Sequence, residues 1–247
     1  TFLGDGCLME GVSHEVCSLA GTLKLNKLIV FYDDNGISID GETKGWFTDD
    51  TAKRFSAYGW QVIAKVNGHD YQELNEAIIE AKKSDKPTLI MCQTLIGKGA
   101  ATKEGSASTH GAPLGEEEIM ATKKALGWNY GPFEIPPSIY EAWDAKAKGE
   151  ALEKAWNERF TLYEKAHPNL AQEFRRRQQR ELPKEFNDLL AKALKEADSQ
   201  AETIATRVAS QRALDALCLN LPEIVGGSAD LTPSNNTFFK GSIPFEV

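Results

Sequence analysis

The sequence predicts an α/β fold in which a parallel sheet is flanked by helices. Two apolar runs carry this prediction, LIVFY at residues 28–32 and PTLIMCQT at residues 87–94. Apolar runs that do not alternate with polar residues are typical of strands buried on both faces. Each run follows a stretch with helical spacing, and strands that alternate with helices favour a parallel sheet joined by right-handed crossovers.

The first strand–helix–strand unit opens the chain. TFLG is a short apolar run, and MEGVSHEVCSLAGTLKL then places Val12, Val16, Leu19 and Leu23 at helical spacing before LIVFY. The second unit consists of the run WQVIAKV, the helical pattern YQELNEAIIEAKKS and the run PTLIMCQT. The two units together predict the sheet and the helices that cover it.

The remainder of the chain is predicted to be mostly helical. Residues 97–115 form a loop rich in Gly, Ser and Thr, and a loop of this length is usually functional or disordered. Helical patterns dominate from Glu116 to about Ser199. A last amphipathic helix, TIATRVASQRALDALCLNL, leads into the polar loop PEIVGGSADLTPSNNT.

Composition excludes several functional classes. The 247 residues carry a formal net charge of −8, which argues against nucleic acid or an anionic membrane as the main partner. No run of about 18 uncharged apolar residues predicts a membrane span. The four cysteines form no CxxC pair, so we expect reduced thiols and a cytoplasmic protein. No GxGxxG follows a strand and no GxxxxGK[ST] occurs, which excludes dinucleotide and Walker-type sites.

Polar residues end the first two predicted strands. Asp5 lies between Gly4 and Gly6 directly after the first strand, and Asn35 follows the second. The carboxyl ends of parallel strands lie at one edge of an open sheet, where ligands bind. A carboxylate and a carboxamide oxygen suit Mg²⁺, which takes one or two protein oxygens and completes its octahedron with phosphate and water. Because the glycines allow close backbone approach, the sequence predicts a magnesium–diphosphate site.

Five segments carry a resemblance to a known family: GDGCLMEGVSHEVCSLAGTLKL, FYDDNGISIDG, GWFTDDTAKRFSAYGW, HGAPLG and GGSADLTPSN. Gly4-Asp5-Gly6 followed by Asp34-Asn35 resembles the thiamine-diphosphate fingerprint, in which Asp34 takes the place of the first Asn of a closing pair. Together the segments resemble transketolase along the whole chain. The resemblance implies a thiamine-diphosphate-binding fold with Mg²⁺ as the metal, for which Ca²⁺ or Mn²⁺ can substitute.

The resemblance also implies a set of metal and cofactor contacts. Asp5, Asn35 and the backbone carbonyl of Ile37 would hold the metal, and Gly6 would approach the diphosphate. His110 in HGAPLG resembles a histidine that contacts both cofactor and substrate.

Four further residues match family positions with other roles. Arg207 and Ser234 match positions that hold the sugar phosphate, and such a group requires a planar cation and a hydroxyl donor. Glu10 resembles a glutamate that joins the two active sites of a dimer, and Asp230 would lie near the thiazolium ring.

Three segments follow from the same resemblance. Residues 1–165 would be the later part of the diphosphate and magnesium domain, residues 166–200 a helical linker, and residues 201–247 the start of a second, pyrimidine-binding α/β domain. The chain begins without Met inside an apolar run, so we expect an internal fragment of a longer protein, inactive alone.

The implied activity is the transfer of a two-carbon ketol unit between sugar phosphates of the pentose phosphate pathway, by a homodimer with its active site between subunits. Two alternatives stay open. The first is another thiamine-diphosphate enzyme, such as a dihydroxyacetone synthase, a deoxyxylulose-phosphate synthase or a 2-oxoacid dehydrogenase subunit. The second is a truncated, non-catalytic binding module. His14 and Cys17, one helical turn apart, are interpreted as a packing pair, because two ligands do not make a zinc site.

Overall fold

The computed structural model describes residues 1–228 and 230–244, and the chain divides into two compact units, Thr1–Ile135 and a second that begins at Pro136. The strands of the first unit are β1 (Phe2–Gly4), β2 (Ile29–Asp34), β3 (Ile37–Ser38), β4 (Gly41–Glu42), β5 (Gln61–Asn67) and β6 (Thr88–Gln93). Its helices are α1 (Asp5–Met9), α2 (Gly11–Thr22), α3 (Thr51–Ala57), α4 (Tyr71–Ala81) and α5 (Glu116–Ala125).

Four strands form one parallel sheet in the order β1-β2-β6-β5. This sheet, flanked by helices, confirms the predicted fold class. Its register pairs Gly4 with Asp33 and Asp33 with Cys92. The residues that follow β1 and β2 therefore emerge at the same edge of the sheet.

Buried side chains cover both faces of the sheet. Successive residues of a strand point to opposite faces, so Leu89 and Ile90 of β6 belong to different clusters. One cluster contains Leu8, Ala20, Val30, Tyr32, Phe55, Trp60 and Leu89. The other contains Val66, Ala77, Ala81, Ile90 and Cys92. Burial on both faces explains why the two apolar runs do not alternate with polar residues.

The helix predicted from Met9 is interrupted, which corrects the sequence-based prediction. Glu10 has an extended backbone (φ −68°, ψ 132°) that separates α1 from α2. The carbonyl of Glu10 accepts bonds from the Ser13 amide (3.0 Å) and hydroxyl (2.7 Å), so the break is itself hydrogen-bonded.

The apolar stripe of α2 does not face the sheet. Val12, Val16 and Leu19 are all exposed, whereas Ala20 and Gly21 are buried. A Cβ atom at Gly21 would lie 1.7 Å from the carbonyl oxygen of Tyr58, so this close approach requires glycine.

The described part of the second unit is helical. It contains α6 (Pro137–Trp143), α7 (Lys146–Ala166), α8 (Pro168–Gln178), α9 (Phe186–Gln200), α10 (Thr206–Leu217) and α11 (Thr232–Asn235). Helices α7 and α8 pack through an aromatic cluster in which Phe160 lies 5.0 Å from Trp156 and 5.4 Å from Phe174 between ring centroids.

The predicted domain boundaries stay a prediction. The chain divides at residue 135 by its contacts, whereas the predicted first segment runs to residue 165. Between residues 201 and 244 the described positions contain no strand, and residues 229 and 245–247 of the predicted last segment lie outside the described residues. No helix in the described ranges has the length and apolar character needed to cross a membrane.

Candidate active site

Asp5 and Asn35 lie at the same edge of the parallel sheet. Asp5 is the first residue of α1, directly after β1, and Asn35 follows β2. Pairing of Gly4 with Asp33 aligns the ends of the two strands. Helix α1 also contacts β3, which begins at Ile37. Four of the predicted site residues, Asp5, Gly6, Asn35 and Ile37, are therefore gathered at this edge.

The Asp5 carboxylate is buried, with only 4% of the residue exposed. Its Oδ1 accepts a hydrogen bond from the hydroxyl of Tyr32, while its Oδ2 is buried without a hydrogen-bond partner in the described chain. Burial raises the pKa of Asp5, the Tyr32 bond opposes that rise, and the charge of Asp33 adds to it. A buried carboxylate oxygen without a partner is costly, and a cation would compensate that cost.

The Asn35 side chain is fixed by two hydrogen bonds. Its Oδ1 accepts a bond from the Ile37 amide at 2.8 Å, and its Nδ2 donates to Asp33 Oδ2 at 3.1 Å. The other oxygen of Asp33 accepts a bond from the Thr94 hydroxyl, just beyond β6. An amide oxygen has two lone pairs, so Asn35 Oδ1 keeps one for a further partner.

Three carboxylates make this edge strongly acidic. Burial raises the pKa of Asp34, and the charge of Asp5 raises it further. Burial and its bond with Asp5 also raise the pKa of Tyr32, so the phenol stays protonated as a donor. Asp5, Asp33 and Asp34 each influence the pKa of a neighbouring group at this edge, and a divalent cation would offset their mutual repulsion.

Gly6 offers open space for a bound group. A Cβ atom added there would meet no heavy atom within 4 Å. Within the described residues no three His, Cys, Asp or Glu side chains form a metal cluster. One carboxylate, one carboxamide and a backbone oxygen would suit Mg²⁺, with phosphate oxygens in its remaining positions.

Arg54 of α3 contacts residues of α1, of α2 and of the segment before α3. Its Nη1 lies 3.2 Å from the carbonyl oxygen of Leu8, 3.1 Å from Asp49 Oδ2 and 3.3 Å from His14 Nε2. A guanidinium only donates, so His14 Nε2 is the acceptor in any hydrogen bond with Arg54, and His14 Nδ1 lies 2.8 Å from the hydroxyl of Tyr58. His14 is exposed and makes these contacts with polar groups, and the interpretation of His14 and Cys17 as a packing pair stays a prediction.

The comparisons with known proteins agree on one family. Residues 1–183 match the model of the family described as "Transketolase, thiamine diphosphate binding domain". The chain belongs to the transketolase family. Transketolase 2 of Escherichia coli is 59% identical over 243 residues, which are 98% of this chain and 36% of that protein. Transketolase 2 of Xanthobacter flavus is 57% identical over 98% of the chain.

Solved transketolase structures share this fold. The Pichia stipitis enzyme in complex with sedoheptulose 7-phosphate has a TM-score of 0.87 and 39% identity, over 99% of this chain and 36% of that one. Transketolase from Campylobacter jejuni has a TM-score of 0.79 and 38% identity, over 96% and 35%. The chain thus spans about a third of the length of the curated relatives it matches.

Two residues with expected transketolase roles lie elsewhere in the first unit. Glu10 is exposed between α1 and α2. His110 is also exposed and ends the 3₁₀ turn Ala107–Thr109, where its amide donates to the Ala107 carbonyl at 2.9 Å. No hydrogen bond in the described chain joins His110 to Asp5 or Asn35, so its transketolase role stays a prediction.

The other expected transketolase residues belong to the second unit. Arg207 is exposed near the start of α10, and Ser234 is exposed in α11. Asp230 is exposed and has a left-handed backbone (φ 58°), an unusual conformation for a residue other than glycine. The roles expected for these three residues also stay predictions.

Sequence reasoning missed the contacts that Tyr32, Asp33, Thr94 and Arg54 make around this candidate site. A tyrosine two residues from the end of a buried strand needs a partner for its hydroxyl, and that was an available signal for Tyr32. Thr94 meets Asp33 across 61 positions of sequence, and no local pattern reveals such a contact.

Proposed function

We propose that the complete product of the reading frame that encodes this chain is a transketolase. It would transfer a two-carbon ketol unit reversibly from a ketose phosphate of the xylulose 5-phosphate type to an aldose phosphate of the ribose 5-phosphate type. The observation that carries the proposal is the buried, unpartnered Asp5 Oδ2, at the sheet edge of a chain that belongs to the transketolase family.

The metal of the proposed site is Mg²⁺, for which Ca²⁺ or Mn²⁺ can substitute. Asp5 Oδ2, Asn35 Oδ1 and the carbonyl oxygen of Ile37 are the proposed ligands. The diphosphate would lie against Gly6, where no side chain fills the space. The acidic edge supports this proposal, because its negative charge attracts a cation that then neutralises the diphosphate.

Thiamine diphosphate, when bound, supplies the electron sink that carries the two-carbon unit. The residues of this chain bind and orient the reactants around it. His110 is proposed to contact cofactor and substrate, Arg207 and Ser234 to hold the sugar phosphate, and Asp230 to lie near the thiazolium ring. Support for the substrate class comes from Pichia stipitis transketolase, solved with xylulose 5-phosphate and with sedoheptulose 7-phosphate.

The proposed assembly is a homodimer with Glu10 at the subunit boundary. Val12, Val16 and Leu19 are 59%, 52% and 56% exposed along one side of α2, directly after Glu10. An exposed apolar stripe supports burial against a protein surface, here a second copy of the chain. All four cysteines, which lie within the described residues, are free thiols, and this supports a cytoplasmic location.

A coupled assay tests the proposed function. The complete product is given xylulose 5-phosphate and ribose 5-phosphate, with Mg²⁺ and thiamine diphosphate present or withheld. We expect transfer that depends on both and is lost in Asp5→Ala, with Asp85→Ala as an exposed control. Cofactor binding without transfer from these sugars would instead favour another thiamine-diphosphate enzyme.

A further inference from the structure

The two ends of the Asn35 side-chain amide are not equivalent toward a cation. Only the oxygen can bind a metal, because the NH₂ group donates hydrogen bonds and carries no free lone pair. Rotation of the amide by half a turn exchanges the two ends at no covalent cost. A site that uses Asn35 must therefore include a group that selects the orientation.

Asp33 is that group. Its Oδ2 accepts a bond from Asn35 Nδ2 at 3.1 Å, while Asn35 Oδ1 accepts one from the Ile37 amide at 2.8 Å. In the reversed orientation the amide oxygen would face the Asp33 carboxylate, and the NH₂ group would face the Ile37 N–H. Both contacts would become repulsive.

Asp33 is itself held from the neighbouring strand. The Thr94 hydroxyl donates to Asp33 Oδ1, so both carboxylate oxygens are engaged, one by Thr94 and one by Asn35. Strand pairing between Asp33 and Cys92 brings Thr94, which follows β6, to the same edge of the sheet. The two bonds define one orientation for the carboxylate and hence for the amide.

We propose that Asp33 is a positioning residue that turns the Asn35 amide oxygen toward the cation, with Thr94 holding Asp33 in place. The inference rests on the proposed function, because it takes Asn35 as a metal ligand. Each oxygen of Asp33 accepts a hydrogen bond, one from Thr94 and one from Asn35, and the proposal gives Asp33 no direct contact with the metal. Its positioning effect on the metal would pass through Asn35.

The experiment measures Mn²⁺ binding by the complete product in the presence of thiamine diphosphate, from the electron paramagnetic resonance signal of free Mn²⁺. Asp33→Asn removes the obligate acceptor, because an amide at position 33 can present either end to Asn35. Changes in groups that orient metal ligands typically cost about 10- to 100-fold in affinity, and we expect a loss within that range. Asp85→Asn, an exposed site beyond the opposite end of β6, is the matched control.

A second pair of variants tests whether Asp33→Asn weakens Mn²⁺ binding through the orientation of the Asn35 amide or through a general disturbance of the structure. An aspartate at position 35 has two equivalent oxygens, so its orientation needs no selection. Asn35→Asp and the double variant Asp33→Asn/Asn35→Asp should therefore differ far less in Mn²⁺ affinity than the unaltered protein and Asp33→Asn do, because only the charge of Asp33 then separates them. Thermal unfolding curves of each variant establish that it is folded.

The Mn²⁺ affinities of these variants either support or overturn the role proposed for Asp33. Weakened binding in Asp33→Asn that disappears in the Asn35→Asp background supports the proposal. The proposal is overturned if Asp33→Asn weakens Mn²⁺ binding equally in the unaltered protein and in the Asn35→Asp variant. It is also overturned if Asp33→Asn weakens binding in neither. If Asn35→Ala binds Mn²⁺ as tightly as the unaltered protein, the proposed metal site itself is wrong and the inference is overturned with it. Weakening by Asn35→Ala with no effect of Asp33→Asn overturns the inference alone.

Discussion

At the scale of single residues, the candidate site depends on the hydrogen bond between Tyr32 and Asp5. The Tyr32 hydroxyl donates a hydrogen bond to Asp5 Oδ1, whereas Asp5 Oδ2 is buried without a hydrogen-bond partner in the described chain. Tyr32 is only 3% exposed, so water does not readily replace its hydrogen bond. This arrangement divides the carboxylate into one oxygen that anchors it and one that is available to a cation.

Tyr32→Phe should therefore weaken both the fold and the metal site. Loss of the hydroxyl leaves Asp5 Oδ1 buried without a donor, at an expected cost of about 1–3 kcal/mol in the free energy of unfolding. Urea unfolding of the metal-free protein measures this cost. Tyr71→Phe is the control, because Tyr71 is 78% exposed. Equal unfolding free energies for the two variants would contradict the role assigned to Tyr32.

At the scale of elements, the break between α1 and α2 depends on a contact from α3. Arg54 reaches the carbonyl oxygen of Leu8, an acceptor at the end of α1 that has no partner within the helix. The Arg54 side chain is only 10% exposed, and it lies 5.5 Å above the centre of the Phe55 ring. One buried cation thus joins α1, α2 and the segment before α3.

Arg54→Met should destabilise the first unit by about 1–3 kcal/mol, because His14 Nε2 loses the Arg54 donor and the Leu8 carbonyl keeps only the Ser13 hydroxyl at 3.2 Å. Lys53→Met is the matched control one residue away, where the side chain is 86% exposed and pairs with Asp50. Denaturant unfolding of both variants measures the difference. Equal stabilities would show that the contacts of Arg54 do not hold the break between α1 and α2.

In the second unit, Arg176 makes stability depend on pH. Its guanidinium binds Glu173 at 2.9 Å and Glu223 at 3.0 Å, and these bonds lower the pKa of both carboxylates. A carboxylate with a lowered folded-state pKa stabilises the fold above its unfolded pKa of about 4.3, and that contribution disappears as the pH falls through the folded pKa.

Arg176→Met should accordingly lower the melting temperature more at pH 7 than at about pH 3, where protonated glutamates no longer pair with arginine. Scanning calorimetry at both pH values measures the change. Lys192→Met, which removes an exposed pair 3.9 Å long, is expected to have little effect at either pH. If Arg176→Met lowers the melting temperature by the same amount at both pH values, Arg176 acts by packing rather than by its charge.

At the scale of the whole molecule, the sequence predicted the elements that have a clear local pattern of apolar residues. The apolar runs of β2 and β6 are continuous because both faces of the sheet are covered, and this burial marked them as parallel strands. The break at Glu10 and the two-residue strands β3 and β4 were not predicted, because so few residues show no periodicity. The bond from Thr94 to Asp33 required the assembled sheet.

The 247-residue chain alone should show no ketol transfer, whereas the complete product of its reading frame should. The reason is that the chain spans only 36% of its E. coli relative, so most of the length of that transketolase has no counterpart in it. Assays of both polypeptides at equal concentration, with Mg²⁺ and thiamine diphosphate, provide the comparison. Transfer by the short chain would contradict this prediction.

Asp5 and Asn35, at the ends of β1 and β2, are proposed to hold a cation together with the diphosphate. The most direct measurement is a crystal structure of the complete product with thiamine diphosphate and Mn²⁺, using the anomalous scattering of manganese. We expect one peak within bonding distance of Asp5 Oδ2, Asn35 Oδ1 and the Ile37 carbonyl oxygen, with the diphosphate beside Gly6. A manganese peak elsewhere, with Asp5 Oδ2 still without a partner, would contradict it.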